Sequence, residues 1–235
     1  MTGAATGIGK GIATRLAGAG AGVVVNHLDT PDAADAVVAS ISDACGSAIS
    51  IQADVSQRDQ FDRLFAAASD HYGHIDILVN NAAVATLVPV ADATETQIDT
   101  VLNVNVKGTV FGCQLAAQHL ADGGRIINIS SSTTGLALPG YGIYDMTKGA
   151  IEQLTRILAG ELGPRSTPST RFPCRDKDRH PPGRQGPRVH RRPRAHVGVQ
   201  PARPRRGDRR RDRVPRHRPA PWITAQNIGV NGGTV

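Results

Sequence analysis

The first 163 residues predict an α/β protein, a doubly wound parallel sheet in a single three-layer α/β/α domain. Two observations carry this. Short β-branched runs recur along the chain: Val23-Val24-Val25, Ile49-Ser50-Ile51, Ile75-Asp76-Ile77-Leu78-Val79 and Arg125-Ile126-Ile127-Asn128-Ile129. Between them the apolar residues switch to helical spacing, and strand–helix alternation of this kind builds a parallel sheet covered on both faces.

Taken in order, Ile8, Ile12 and Leu16 place a helix directly after the glycine-rich start. The strand runs are nearly continuous in apolar character, as strands buried on both faces require. Ala34, Val37 and Ile41 mark a second helix, and Phe61, Leu64, Phe65 and Ala68 a third. Thr94-Glu95-Thr96-Gln97 has the form of a capping box, opening a helix that carries Ile98, Val101, Leu102 and Asn105. Tyr144, Lys148, Ile151, Thr155, Leu158 and Leu162 fall along one face of a further helix.

A length of 235 residues suits one domain with a sizeable core. No apolar run reaches the roughly 18 residues of a membrane span, and no signal-peptide pattern opens the chain. Cys45, Cys113 and Cys174 form no Cys-x-x-Cys pair. The expectation is a cytoplasmic protein with no disulfide framework, no metal site and no membrane partner.

The net charge of +7 is unevenly spread: residues 165–221 hold 18 Arg, one Lys and four Asp, about +15, which leaves about −8 for the remainder. The same stretch holds 11 Pro and almost no apolar periodicity, so it is expected to be disordered. The organisation is then 1–164 as the dinucleotide-type domain, 165–221 as an anomalous Arg/Pro segment, and 222–235 as the closing strand.

Five motifs carry candidate chemistry. Thr2-Gly3-Ala4-Ala5-Thr6-Gly7-Ile8-Gly9 leads into a helix, where glycines let the backbone approach a pyrophosphate met by free N–H groups. Tyr144 and Lys148 stand four apart on a helix, so an ammonium can favour the phenolate of a tyrosine whose pKa is ordinarily about 10. Asn128-Ile129-Ser130-Ser131-Ser132 closes a strand, where a hydroxyl can donate to a substrate oxygen as charge develops on it. Asn80-Asn81-Ala82-Ala83 follows another strand, and Asn105 is a polar residue in an apolar helical stretch. Each has a structural alternative: a glycine turn, a surface Tyr on a Lys stem, a serine loop, an asparagine turn and a satisfied core Asn.

In conjunction and in this order the motifs resemble the short-chain dehydrogenase/reductase family, in the manner of 3-oxoacyl-ACP reductases and glucose dehydrogenases. The resemblance covers residues 2–163 and resumes at 222–235, where Trp222-Ile223-Thr224-x-Gln226 and Val230-Asn231-Gly232-Gly233 look like the family's last strand. It implies a Rossmann-type fold and an NAD(P)-dependent oxidoreductase interconverting a secondary alcohol and a ketone by hydride transfer. Asn105, Ser131, Tyr144 and Lys148 match the catalytic tetrad, Ser131 being preferred over Ser132 because it precedes Tyr144 by 13 residues. By that match Tyr144 exchanges the proton, Ser131 steadies the substrate oxygen, Lys148 lowers the Tyr144 pKa and holds the ribose, and Asn105 holds a relay water. Gly3, Thr6, Gly7, Ile8, Gly9, Asp54, Val55, Asn81 and Ala82 match the cofactor-binding positions, joined by Tyr144 and Lys148. The acidic position after the second family strand falls at His27, with Asp29 two residues on, and no basic residue stands at Thr6. The reading leans slightly to NAD over NADP. A small-molecule substrate and a homotetramer or dimer complete what the resemblance implies.

Two departures stand out. Relatives carry a strand reading roughly Val-Ala-Leu-Val before Thr-Gly, so the true start is expected one strand upstream, since GTG serves as both a valine and a start codon. The Arg/Pro stretch stands where relatives place a sixth strand and the substrate loop. Out-of-frame reading of GC-rich sequence yields such residues: one back-translation of Thr167 to Asp176, shifted by two bases, reads Ala-Val-Asn-Ala-Val-Ser-Leu-Pro-Gly. Two compensating frame errors are therefore expected, with the frame regained at Trp222. The rival readings are a non-functional remnant of such an enzyme and a nucleic-acid-binding arm, the latter disfavoured by the lack of stacking aromatics. The chain as it stands is expected to lack two strands and to be marginal in stability.

Overall fold

In the computed structural model, which describes residues 1–162, 169–173 and 225–230, all strand pairings are parallel. The elements run α1 (Gly7–Ala17), β1 (Gly22–His27), α2 (Pro31–Asp43), β2 (Ser47–Gln52), α3 (Arg58–Tyr72) and β3 (Ile75–Asn80). They continue with α4 (Glu95–Val101), α5 (Gly108–His119), β4 (Leu120–Ile129), α6 (Gly142–Leu162), β5 (Ser169–Pro173) and β6 (Asn227–Val230). A π-helical turn, Leu102–Lys107, joins α4 to α5. The expected doubly wound α/β architecture is present. Among the described residues no helix is long and apolar enough to cross a membrane.

The faces read from spacing in α2 and α3 are the buried ones, whereas α1 buries Gly9, Ala13 and Ala17 and leaves Ile8, Ile12 and Leu16 half-buried. Ala34 and Val37 of α2 are fully buried and pack with Val23, Val25 and Ala13 into one core. Phe61, Leu64, Phe65 and Ala68 of α3 join Val24, Leu78, Ile126 and Leu158 in a second. Successive side chains of a strand point to opposite faces, so Val24 belongs to one core while its neighbours Val23 and Val25 belong to the other. Both reciprocal hydrogen bonds of the Thr94/Gln97 capping box form.

One expectation needs correction. The sequence predicts that the Arg/Pro stretch 165–221 displaces the sixth strand. The structure places β5 inside that segment, pairing Ile127–Ile129 with Ser169–Arg171, and pairs Pro173 with Val230 of β6. Thr170 and Phe172 have the β-branched and aromatic character that suits a strand, and Pro173 stands at its last position, where the lost donor costs least. The rest of the segment, 174–221, lies outside the described residues, as do 163–168, Trp222-Ile223-Thr224 and Asn231-Gly232-Gly233.

Among the described residues the strands fall into two sheets. The strand order is β2-β1 in one sheet and β3-β4-β5-β6 in the other, with β1 and β3 facing each other unpaired. Residues 1–4 stitch the two edges. Met1 N donates to Val24 O (3.1 Å), Asn26 N to Met1 O (3.2 Å), Thr2 N to Val79 O (3.0 Å) and Ala4 N to Asn26 O (2.8 Å). Upstream of this stub the edges part around a cavity of about 340 Å³, lined by Met1, Val24, Leu64, Phe65, Leu78 and Val79 among others. Burial lowers the pKa of the Met1 amino group from 8.0 to about 6.

Two outcomes follow for residues 1–235. Because the folded amine resists protonation, stability rises with pH between about 6 and 8 and is lost as pH falls through that window, by up to roughly 2–3 kcal/mol. Fusing Val-Ala-Leu-Val ahead of Met1 turns the amine into an amide and fills the cavity. Thermal unfolding should then gain roughly 10 °C in midpoint and lose the pH 6–8 dependence. An unchanged midpoint would show that the cavity does not accept a strand.

Candidate active site

The glycine turn is built by close approach. Gly3 (φ +58°) and Gly7 (φ +53°) take left-handed backbone conformations. A Cβ on Gly3 would lie 2.9 Å from Ala82 Cα, and one on Gly9 would run into Gly3 O and stand 2.7 Å from Asn81 Nδ2. The space is taken by a clasp. Asn81 Nδ2 donates to Thr2 O (3.0 Å) and Gly3 O (2.9 Å), while Thr2 Oγ1 accepts from Asn81 N (2.9 Å) and Ala82 N (3.0 Å). From the other side Asn26 Oδ1 accepts from Gly3 N (3.2 Å), and Asn26 Nδ2 donates to Ala53 O (3.0 Å).

Several groups at the carboxyl ends of the strands point to a dinucleotide. The exposed Thr6 caps α1 without a side-chain hydrogen bond, so the first N–H groups of α1, at Gly7, Ile8 and Gly9, remain available to a phosphate. Among the described residues, Nδ1 of the buried His27 is the buried side-chain nitrogen or oxygen with no partner. It ends β1, where a ligand hydroxyl or phosphate would meet it. Asp29 nearby is exposed. After β2, Asp54 Oδ1 accepts from Ser56 N (2.8 Å) and Asp54 N donates to Gln60 Oε1 (2.9 Å), while Val55 is buried. The orphaned His27 nitrogen and the side-chain-free cradle fit a nicotinamide dinucleotide. No cluster of three or more metal-ligating side chains occurs among the described residues.

Lys148 is 3% exposed, and its Nζ donates to Ile129 O (2.8 Å) at the end of β4. Desolvation lowers its pKa from 10.5 to about 8. The Tyr144 ring centroid lies 5.6 Å from the same Nζ. Ser131 follows β4 and caps the 3-10 turn Ser132–Gly135. Its Oγ lies 2.7 Å from Thr133 Oγ1 and accepts from Thr133 N at 3.2 Å. The Thr133 hydroxyl in turn donates to Asp145 Oδ1 (2.5 Å), so the serine turn is tied to the residue beside Tyr144.

Asn105 is fully buried in the π-helical turn, a kind of irregularity frequent at functional sites. Its Oδ1 accepts from Val84 N (2.9 Å), and its Nδ2 donates to Val84 O (2.9 Å) and Thr147 Oγ1 (3.1 Å). Both amide protons are therefore given to the protein, and one Oδ1 lone pair remains for a water.

Sequence reasoning missed several members of this region. Asn26 lies within β1 and is not among the candidate residues of the sequence. A buried ladder runs from Asn80 Nδ2 to Asn128 Oδ1 (2.9 Å) and from Asn128 Nδ2 to Thr155 Oγ1 (2.9 Å), fixing the end of β4 against β3 and α6. Ser130 Oγ adds a bond to Glu152 Oε1 (2.9 Å). Polar residues inside otherwise apolar strands were the available signal, because a buried amide must be paired.

A parallel α/β sheet with a glycine cradle before its first helix and a buried Lys beside a Tyr past β4 defines a dinucleotide-type α/β oxidoreductase fold. A family model described as enoyl-(acyl carrier protein) reductase matches residues 3–167. An uncharacterized oxidoreductase of Methylorubrum extorquens is 45% identical over 165 residues, 70% of this chain and 66% of its own. Elsinochrome reductase 1 of Elsinoe fawcettii is 45% identical over 165 residues, 69% of this chain and 61% of its own. A short chain dehydrogenase from Burkholderia cenocepacia, solved in complex with NADP, superposes with a TM-score of 0.71 at 37% identity, over 74% of this chain and 71% of that one. The chain belongs to the short-chain dehydrogenase/reductase family. It spans 61–66% of the length of these two curated relatives.

Gly9→Ala should destabilise the chain by about 3 kcal/mol, because its methyl would displace both Gly3 O and the Asn81 clasp. Gly11→Ala, where nothing lies within 4 Å of the added methyl, should be neutral or slightly stabilising. Urea unfolding of the pair measures the contrast, and equal midpoints would refute the packing argument.

Proposed function

We propose that this chain is the core of an NAD(P)-dependent oxidoreductase that interconverts a secondary alcohol and a ketone. The observation that carries the reading is Lys148, a buried cation tied to the end of β4 and standing against the Tyr144 ring. Burying an ammonium costs several kcal/mol unless something uses or repays it, and one carbonyl hydrogen bond is modest repayment. The ammonium stabilises the phenolate as Tyr144 gives its proton to a substrate oxygen. Ser131, past the carboxyl end of β4, steadies that oxygen as charge develops. Asn105 positions the loop at Val84 and, through Thr147, the helix that carries Tyr144 and Lys148; a relay water would sit on its remaining Oδ1 lone pair.

Gly3, Thr6, Gly7, Ile8 and Gly9 would hold the pyrophosphate, His27 and Asp29 the adenosine ribose, Asp54 and Val55 the adenine. Asn81 and Ala82 would support the cradle, and Tyr144 and Lys148 the nicotinamide ribose. The bound nicotinamide supplies or accepts the hydride. The lean to NAD finds no support in the NADP-bound relative. The similarity to elsinochrome reductase 1 favours carbonyl reduction as the direction. The paired surfaces of a dimer or tetramer would be the helices between Val101 and Leu120 and between Tyr144 and Leu162; on the latter, Met146 and Ile157 are 53% and 62% exposed.

Tyr144→Phe should abolish turnover on a panel of ketones, by about 100-fold or more, while cofactor binding followed by fluorescence persists. Retained turnover would end the role given to Tyr144. Lys148 is charged below a pKa of about 8 and neutral above it, so activity should fall as pH rises through 8. Lys148→Arg, whose guanidinium stays charged, should move that limb upward wherever the variant folds.

A further inference from the structure

Ser131, Thr133 and Asp145 place three oxygens in a row, 2.7 Å and 2.5 Å apart, leading from the end of β4 to the residue beside Tyr144. The middle oxygen has one hydrogen and two neighbours, so the direction of the row depends on its far end. An ionised carboxylate can only accept. Thr133 must then donate to Asp145, and the short separation is that of a hydroxyl bonded to a carboxylate. The Ser131 hydroxyl fills the vacated acceptor site on Thr133, and its hydrogen is spent inside the protein. A protonated carboxyl can donate instead. Thr133 then turns its hydrogen to Ser131 Oγ, which also accepts from Thr133 N, and the Ser131 hydrogen is free to point at a substrate oxygen.

We propose that Asp145 is a positioning residue whose protonation state, relayed by Thr133, sets whether Ser131 presents a hydrogen or a lone pair to the substrate. This rests on the reading of Ser131 given above. No covalent bond changes in the relay: one proton is taken from solvent by the Asp145 carboxylate, and two hydroxyl groups rotate.

The surroundings leave Asp145 to this task. Its pKa is raised above the ordinary carboxylate value by desolvation, opposed by the Thr133 hydrogen bond. Tyr141 stands just before its helix and its carbonyl receives Asp145 N; the helix itself carries the adjoining Tyr144, Lys148 with its ammonium on Ile129 O, Glu152, Arg156 and Glu161. The Ser132–Gly135 turn contributes only hydroxyls. Of the other described elements packed on α6, β5 carries Arg171, α4 carries Glu95 and Asp99, and the π-helical turn carries Lys107, whose ammonium lies 6.0 Å from the Phe111 ring centroid. No ion pair to Asp145 forms among the described residues.

The test is the pH dependence of ketone reduction from pH 4.5 to 7.5 in the full chain, in Asp145→Asn, Thr133→Val and Ser131→Ala. The unaltered protein should gain several-fold in kcat, with little change in KM, as pH falls through the Asp145 titration. Asp145→Asn can donate to Thr133 at every pH, so its rate should be flat and close to the acid plateau. Thr133→Val cuts the relay and should also lose the inflection. Difference infrared spectroscopy should show a protonated-carboxyl band growing over the same range and absent in Asp145→Asn, a readout that needs no turnover. An acid inflection that survives in both Asp145→Asn and Thr133→Val overturns the proposal. Should Ser131→Ala instead keep full activity, the reading of Ser131 fails and the relay with it. A loss of about 100-fold in Ser131→Ala, together with an unmoved inflection in the other two variants, defeats the relay alone.

Discussion

The structure depends on how two half-sheets are held at a fixed separation by residues 1–4 and two asparagines. Asn26 and Asn81 reach in from β1 and from the end of β3, and between them they satisfy the backbone of the glycine turn. Buried amide and carbonyl groups must be paired, and here the pairing is made by side chains because no full strand lies between the two edges among the described residues. The direction of α1, the opening at its N-terminus and the place of His27 all follow from that clasp. It also explains why glycine is needed twice in a short stretch: Ala82 at Gly3, Gly3 O at Gly9 and the asparagine amide at both fill the volume a side chain would take.

The opposite side of the site is organised by α6. Four contacts fasten it to the end of β4 and the following turn: Thr155 to Asn128, Lys148 to Ile129 O, Glu152 to Ser130, and Asp145 to Thr133. These are spaced at three and four residues, so one helix face serves as both structural seam and chemical surface. A desolvated lysine in that seam is unfavourable for folding taken alone. Such cost concentrates where a charge is put to use.

Much of this was legible in the order of residues. Periodicity located α1, α2, α3 and α6 and the buried faces of α2, α3 and α6, because burial of an apolar stripe is what stabilises a helix; in α1 the small residues Gly9, Ala13 and Ala17 take the buried face in place of Ile8, Ile12 and Leu16. The capping box of α4 was readable because its two hydrogen bonds lie within four residues. Less legible were features that need three-dimensional neighbours. A polar residue in Val-Val-Val-Asn-His signals that Asn26 is paired, but only its position across from Gly3 and Ala53 shows with what. The strand at Ser169–Pro173 was hidden by the arginines and prolines around it, since composition averaged over a long stretch hides a five-residue element. Asp145 carries no local signal of its own, since its partner Thr133 lies twelve residues away on a different element.

The buried ladder of Asn80, Asn128 and Thr155 encloses one further group, the thiol of Cys113. Its sulfur lies 3.7 Å from Asn80 Nδ2 and 3.8 Å from Asn128 Oδ1, and desolvation pushes its pKa up to about 12. Only a thiolate attacks an alkylating reagent at a useful rate, so Cys113 is chemically silent while β3, β4, α5 and α6 stay together. Cys45, exposed after α2, has no such shield. The two thiols thus divide into a surface tag and an internal clock, the second marking time only when the domain opens.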